Sequence, residues 1–199
     1  TEPGDCGCGV ADTDTDGDGT PDCNDDCAQL ADDCIPLASG ESIQDAISAV
    51  AEGGTIQLGA GFFGHTLQDG IRIGAKSVTI RGTLNADGSL ATTVAYLGEY
   101  GRVFRFDASG SDTVLRDVVV TGGVAHHGAA ILCDNGASPT IINCTMTGNH
   151  GVYGAGFDAL QGSSPTVTDC RIVDNTMWGQ QLGGGVYARE NSNPVFTNC

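Results

Sequence analysis

Two different rules of apolar spacing divide the chain. Between Ser42 and Val50, apolar residues recur at Ile43, Ala46, Ile47 and Val50, which is one face of a helix. Ser42 with Asp45 opens that stretch as a capping pair, and Gly53-Gly54 closes it. From Thr55 onward no helical period appears. Short β-type runs separated by glycine and Asp/Asn turns replace it: Thr55 to Leu58, Ile71 to Ile73, Ser77 to Ile80. The later runs repeat. Ser138 to Cys144, Ser164 to Cys170 and Asn193 to Cys199 match position for position, and Gly128, Gly154 and Gly183 each stand eleven residues before the proline of these phrases. A short strand follows each glycine, at Ile131–Cys133, Phe157–Ala159 and Val186–Ala188, and a degenerate copy begins at Gly101 with Phe104–Phe106 and Val114–Val120.

A period of about 26 to 29 residues with two or three short strands and no helix predicts an all-β parallel β-helix, one coil per repeat. Corresponding residues should then stack as ladders about 4.8 Å apart. The expected inward ladders are Phe104/Ile131/Phe157/Val186, Phe106/Cys133/Ala159/Ala188, Ile141/Val167/Phe196 and Cys144/Cys170/Cys199. Asp117, Asn143, Asp169 and Asn198 should occupy the bend between strands, where Asn and Asp accept left-handed backbone and bond to stacked neighbours. The helix should plug the bottom of the coil. Disulfides between adjacent parallel strands are awkward, so the stacked cysteines are expected to be free buried thiols.

The phrases Gly183-Gly-Gly-Val186 and Ser138-Pro-Thr-Ile-Ile-Asn-Cys144 resemble the right-handed parallel β-helix repeats of bacterial surface proteins of the polymorphic outer-membrane-protein type. That resemblance spans residues 40–199 and implies a secreted or surface-displayed scaffold or adhesin-like module. It also implies kinship of fold with pectate lyases and polygalacturonases, although none of their motifs is present.

Composition adds a second unit. The 199 residues carry 31 glycines, nine cysteines and a net charge of −17. Eleven carboxylates, five cysteines and no basic residue fall within residues 1–34, which lack the apolar side chains for a core. Asp14, Asp16, Asp18, Gly19, Thr20, Asp22 and Asp25 occupy positions 1, 3, 5, 6, 7, 9 and 12 of a calcium-loop spacing, with Thr20 offering its carbonyl and Asp12 and Asp26 as spare ligands. The run Asp14 to Cys27 resembles a thrombospondin type-3 calcium repeat, which implies Ca²⁺ as cofactor and stapling by disulfides. The expected organisation is thus a calcium-binding, disulfide-rich segment at 1–34, a linker and capping helix at 35–54, and coils at 55–199.

Eight basic residues against 25 acidic ones exclude nucleic acid as a partner, and no apolar run is long enough for a membrane-spanning helix. Cysteine use fits an extracellular setting, and the resemblance implies a bacterial surface. The stop at Cys199 in mid-repeat leaves two readings open, a longer parent chain or head-to-tail self-association into filaments.

The function expected is a non-catalytic, calcium-stabilised structural module, with no catalytic residues. The alternative is a carbohydrate-active lyase, hydrolase or glycan-binding β-helix, for which Asp107, Asp134 and Asp158, flanked by Arg105, are the candidate acids. A solvated face of alternating charge is the plainer account of those residues. His126-His127 and His150, beside Tyr153 and Trp178, should lie in equivalent surface turns with no carboxylate at ligand spacing. The paucity of aromatics, 6% of residues, argues against a large aromatic-lined pocket.

Overall fold

The computed structural model describes residues 34–178 and 183–199. The calcium-loop residues Asp12 to Asp26 lie outside them. Within that span the repeats stack as coils of a parallel β-helix with four faces. The first face is a seven-stranded parallel sheet from Cys34–Leu37 through Thr55–Leu58, Thr79–Arg81, Val114–Arg116, Thr140–Ile142 and Thr166–Thr168 to Val195–Thr197. The second runs from Gly61–His65 through Thr92–Tyr96, Val118–Thr121 and Thr145–Thr147 to Arg171–Val173. The third runs from Ile71–Ile73 through Phe104–Asp107, Ile131–Asp134 and Phe157–Ala159 to Val186–Ala188. Val124–His127, His150–Tyr153 and Thr176–Met177 make a fourth, three-stranded face between the second and the third.

The ladders stand in the anticipated register: Ile131 pairs with Phe104 and Phe157, Phe157 with Val186, Cys133 with Phe106 and Ala159, and Val167 with Ile141 and Phe196. Phe63, Phe104, Phe106 and Phe157 are all fully buried, so the coil interior is a filled core. Cys133, Cys144 and Cys170 are buried free thiols. Cys144, Cys170 and Cys199 repeat one environment, each sulfur 3.2 Å from the carbonyl oxygen two residues earlier. Burial pushes the Cys133 and Cys144 thiols above their ordinary range, which makes them inert filler. Cys34, by contrast, is disulfide-bonded.

From Arg116 onward each corner between faces is turned by a left-handed residue. Asp117, Asn143 and Asp169 turn the first face into the second with φ of 61°, 49° and 54°, and Asn198 repeats the conformation after the last strand with φ of 54°. Asn143 donates to Asp117 at 2.7 Å and Asn198 to Asp169 at 3.1 Å, so these side chains also tie coil to coil. The glycine that precedes each third-face strand has the same cause. Gly154 has φ of 53°, and a Cβ there would stand 2.3 Å from the Phe157 carbonyl oxygen. Only glycine fits such a position, and the repeat is legible in the sequence because of it.

The helix Ile43–Ala49 closes the bottom. Ser42 accepts from the Asp45 amide, and Ile43, Ala46, Ile47 and Val50 are buried. Gln44 pairs with the open edge of the third sheet: its side chain accepts from the Arg72 N–H at 2.8 Å and donates to the Arg72 carbonyl at 3.3 Å. An edge strand is thereby satisfied without another strand. Lys76 donates to the carbonyls of Ile47 and Val50 at the helix C-terminus. One detail differs from expectation. Cys34–Leu37, within the stretch read as segment end and linker, is a strand paired with Thr55–Leu58, and its edge position accommodates Pro36, which has no N–H to give.

Candidate functional site

Along the third face, alternate residues point outward, and there the candidate acids separate into two settings. Asp134 lies in direct register with Asp107. Arg105 holds Asp134 through two contacts, at 2.9 and 3.4 Å, and also contacts Asp69. Asp107 accepts from the Asn135 amide at 2.7 Å and from Arg72. The Asn135 bond, joined by the charges of Arg72 and Arg105, holds its carboxyl below the usual carboxylate range. A carboxylate fixed in this way is a poor proton donor. These two residues and their arginines form an ion-paired lattice across coils.

Asp158 is set apart. Its register partners are Leu132 and Tyr187, two positions short of Asp134 along the strand direction. Its side chain is 0% exposed, and the ring of His127, from the fourth face, meets it with Nδ1 2.8 Å from Oδ2. The other carboxylate oxygen has no partner. Burial pushes the Asp158 carboxyl up to about 7, against the opposing pull of Arg189 and Arg102. Burial, with the same two arginines and His126, lowers the pKa of His127. The pair therefore holds one proton at mildly acid pH and is uncharged as a unit.

The folded protein binds the Asp158 proton more tightly than the unfolded chain does, so that stabilisation is complete below pH 3.8 and is lost as pH rises through about 7. Asp158→Asn, which keeps the shape and removes the titration, should flatten the fall in melting temperature between about pH 4 and about pH 8. At the alkaline end the variant should outlast the parent. Identical pH profiles of the two proteins in thermal denaturation would show the carboxyl to be unperturbed.

The histidines sit in strands of the fourth face where turns were expected, and His127 does have a carboxylate opposite. Ring side chains also meet along the fourth face and its borders. The ring of His127 stacks on Tyr153 at 4.9 Å, and Tyr153 lies against Tyr187 at 5.2 Å. Trp178 lies parallel to Tyr100, 6.2 Å apart with 6° between planes, and His126 and His150 meet its edge. The Tyr100 hydroxyl accepts from the His126 N–H at 3.1 Å, and the Tyr100 carbonyl accepts from the Tyr96 hydroxyl at 2.7 Å. His65 packs edge-on to Tyr96. Every tyrosine, every histidine and the single tryptophan of the chain thus belong to two contact runs joined at the His126–His127 peptide. The small aromatic fraction had hidden a concentrated strip.

His127, Tyr153, Tyr187 and Arg189 line a recess of about 290 Å³ at the corner of the third and fourth faces. A larger cavity, about 400 Å³, lies beside the capping helix between Gln44, Phe63, His65 and Leu67. Burial lowers the pKa of His65 there. No group of His, Cys, Asp or Glu able to hold a metal ion occurs among the described residues.

A family model, that of the right handed beta helix region, matches residues 65–199, more than half of the chain. The chain belongs to the right-handed β-helix family. No curated protein and no solved structure matches it. Membership in the right-handed β-helix family accounts for the coils and for the glycine and Asn/Asp corners. It leaves the outward side chains, where the site lies, to be read from their own chemistry.

Sequence reasoning placed Asp107 and Asp134 correctly beside Arg105 but grouped Asp158 with them. It missed Arg72, Asn135 and Arg189 as partners, and it read the aromatic–histidine strip as turns. The signal was present in part: His127 and Tyr153 are 26 residues apart, the spacing of Gly128 and Gly154.

Proposed function

We propose that this right-handed β-helix is a non-catalytic scaffold of the cell surface or extracellular space that binds glycans through its fourth face, an adhesin-like role. The observation that carries this reading is the strip. An acidic chain poor in aromatics brings Tyr100, Tyr153, Trp178, His126, His127 and His150 together along the fourth face, with Tyr187 at its corner, and Tyr100 is 46% exposed. Flat amphipathic rings offer apolar area to the C–H faces of a sugar and polar tips to its hydroxyls, at low entropic cost. The state of the acids supports a non-catalytic role: Asp107 and Asp134 are tied to arginines, and Asp158 is walled in.

Binding of the native protein to immobilised plant, algal and bacterial polysaccharides tests the reading. Saturable binding should weaken about tenfold or more in Trp178→Ala and Tyr100→Ala, with melting temperature nearly unchanged. Equal binding by both variants, or none by the parent, overturns it.

A second reading, a carbohydrate-active enzyme, draws on the His127–Asp158 pair, whose Asp158 carboxyl near 7 suits proton transfer. Depolymerisation of any of these polysaccharides that disappears in the Asp134→Asn, Asp158→Asn double variant would install it in place of the first.

The amino-terminal segment is proposed to bind Ca²⁺ through Asp14, Asp16, Asp18, Thr20, Asp22 and Asp25, with Asp12 and Asp26 in reserve, and to brace the scaffold where it meets a continuing chain or a second copy. Calorimetric titration of the full chain with Ca²⁺ should show saturable uptake, weakened at least tenfold by joint Asp16→Ala and Asp18→Ala substitution. An uptake that survives the substitution assigns the ion elsewhere.

A further inference from the structure

The sheets of the first three faces end at the bottom of the coil, and the edge of the second is the one left partly open. Gln44 satisfies the lowest strand of the third sheet, and the first ends on a strand that carries Pro36. The second ends on Gly61–His65, which is covered at Phe62. There the Phe62 N–H donates to the Ser39 hydroxyl at 3.0 Å, and the Phe62 carbonyl accepts from that hydroxyl at 2.9 Å and from the Gly40 N–H at 3.2 Å. Main-chain groups alternate in direction along a strand, so Gly64 presents its N–H and carbonyl to the same side as Phe62. The intervening parity faces the other way: the Gly61 N–H donates to the Ala91 carbonyl at 2.9 Å, and the His65 carbonyl accepts from the Leu97 N–H at 2.8 Å. Thr66 follows Gly64 at the same parity. Among the described residues neither Gly64 nor Thr66 meets a main-chain partner on that side, and both line the cavity of about 400 Å³ beside the capping helix. An open strand edge along a cavity of that size is a place where another chain can pair.

We propose that this edge receives an extended, basic peptide segment of a partner protein, which adds to the second sheet as one more strand. Its main chain pairs with Gly64 and Thr66, and its alternate side chains meet an apolar wall. Ile43, Phe63 and Ile71 supply that wall, all buried, with Leu67 beside them at 42% exposure. Charge selects the occupant. Glu41 and Asp45 line the cavity, no lysine or arginine does, and burial keeps the His65 ring uncharged at neutral pH. Glu41 is held in place by accepting from the Ala38 N–H at 2.6 Å. Residues 1–33 of the chain itself carry 11 carboxylates and no basic residue, so they are repelled from this site, whereas a net charge of −17 draws a cationic segment toward it. Glycan binding at the fourth face is not involved.

The experiment measures binding of the full chain to peptides of about eight residues that alternate valine with lysine, with serine or with glutamate. The lysine probe should bind about tenfold more tightly than the serine probe, with the advantage falling as salt rises, and the glutamate probe should bind least. Joint Glu41→Gln and Asp45→Asn substitution should bring the lysine probe down to the affinity of the serine probe and leave the serine probe unchanged. Methylating alternate main-chain nitrogens of the lysine probe, on its pairing edge, should abolish binding, because the charge stays while the strand hydrogen bonds go. Hydrogen exchange gives the location: the Gly64 and Thr66 amides should exchange readily in the free protein and gain protection when the lysine probe is bound. Thr66→Pro removes one of these donors at an exposed position and should weaken the lysine and serine probes alike. Equal binding of the lysine and glutamate probes, or tight binding of the methylated probe, overturns the assignment. Amides already protected in the free protein would give the edge to residues 1–33, and protection that appears only as protein concentration rises would give it to a second copy; either result removes the basic partner.

Discussion

Phe104→Ala is expected to lower the stability of the β-helix by about 3–5 kcal/mol, the usual cost of removing a buried phenylalanine side chain. Phe104 is fully buried, stacks in register between Ile71 and Ile131, and lies 6.4 Å from the ring of Phe106. Its neighbours above and below are held by ladder hydrogen bonds on both sides, so they cannot collapse into the space left behind. The loss should therefore include a cavity contribution as well as the lost transfer of the ring from water. In a solenoid each coil leans only on its neighbours, and damage at this level separates the coils below from those above. For a domain of this size the change corresponds to a fall of roughly 10 °C in melting temperature. Phe62→Ala is the internal control. That ring sits on the second face, 45% exposed, and its loss should move the melting temperature little. Thermal denaturation of the two variants side by side, at fixed calcium concentration, checks the ratio. Similar losses would mean that the stacked side chains do not form the core.

The inward ladders were legible because stacking makes position a matter of counting. Phe104, Ile131, Phe157 and Val186 occupy the same place in successive repeats, and any reading that found the period found the core with it. The glycines were legible for a steeper reason: the left-handed backbone at Gly128, Gly154 and Gly183 leaves no room for a Cβ, so the repeat cannot drift there. Outward positions carry no such constraint. Arg105, Leu132, Asp158 and Tyr187 share one register yet differ in charge, size and partner. What Asp158 meets is set by the height of the fourth face against the third. That offset places His127, 31 residues earlier, against its carboxylate. No spacing rule on one strand encodes it. The ion pairs of Asp107 and Asp134 were half legible, since Arg105 lies in the same strand as Asp107, whereas Arg72 comes from the coil below.

The strip and the lattice also divide the outer surface by role. On the third face, Arg72, Arg105, Asp107 and Asp134 neutralise one another across coils and offer little to a ligand. On the fourth face, Trp178, Tyr100 and His126 meet mainly other rings, while His127 and His150 are bonded through Nδ1 to Asp158 and Thr176. The recess with Arg189 lies where the two chemistries adjoin.

Asn149→Leu should cost about 3 kcal/mol or more, although the side chains are nearly equal in size. Asn149 is fully buried at the corner of the second and fourth faces. Its Oδ1 accepts from the Gly123 N–H at 2.9 Å, and its Nδ2 is shared among the Val120 carbonyl at 3.1 Å, the Thr147 carbonyl at 3.0 Å and Asn175 Oδ1 at 2.9 Å. Asn175, one coil on, continues the ladder by donating to the Met146 carbonyl at 2.9 Å. A leucine restores none of these bonds and leaves a buried N–H and two buried carbonyls unpaired, each a loss of roughly 1–3 kcal/mol. Because the amide bridges three successive coils, its network is worth more than its separate bonds. Asn193, exposed beside the last proline, is the matching control, and Asn193→Leu should be close to neutral. Native-state hydrogen exchange gives the sharper reading. In the Asn149→Leu protein the Gly123 amide should lose protection well before those of the first face, which makes no bond to this corner. Protection lost evenly over all four faces would instead show that Asn149 acts on the whole solenoid and not through its ladder.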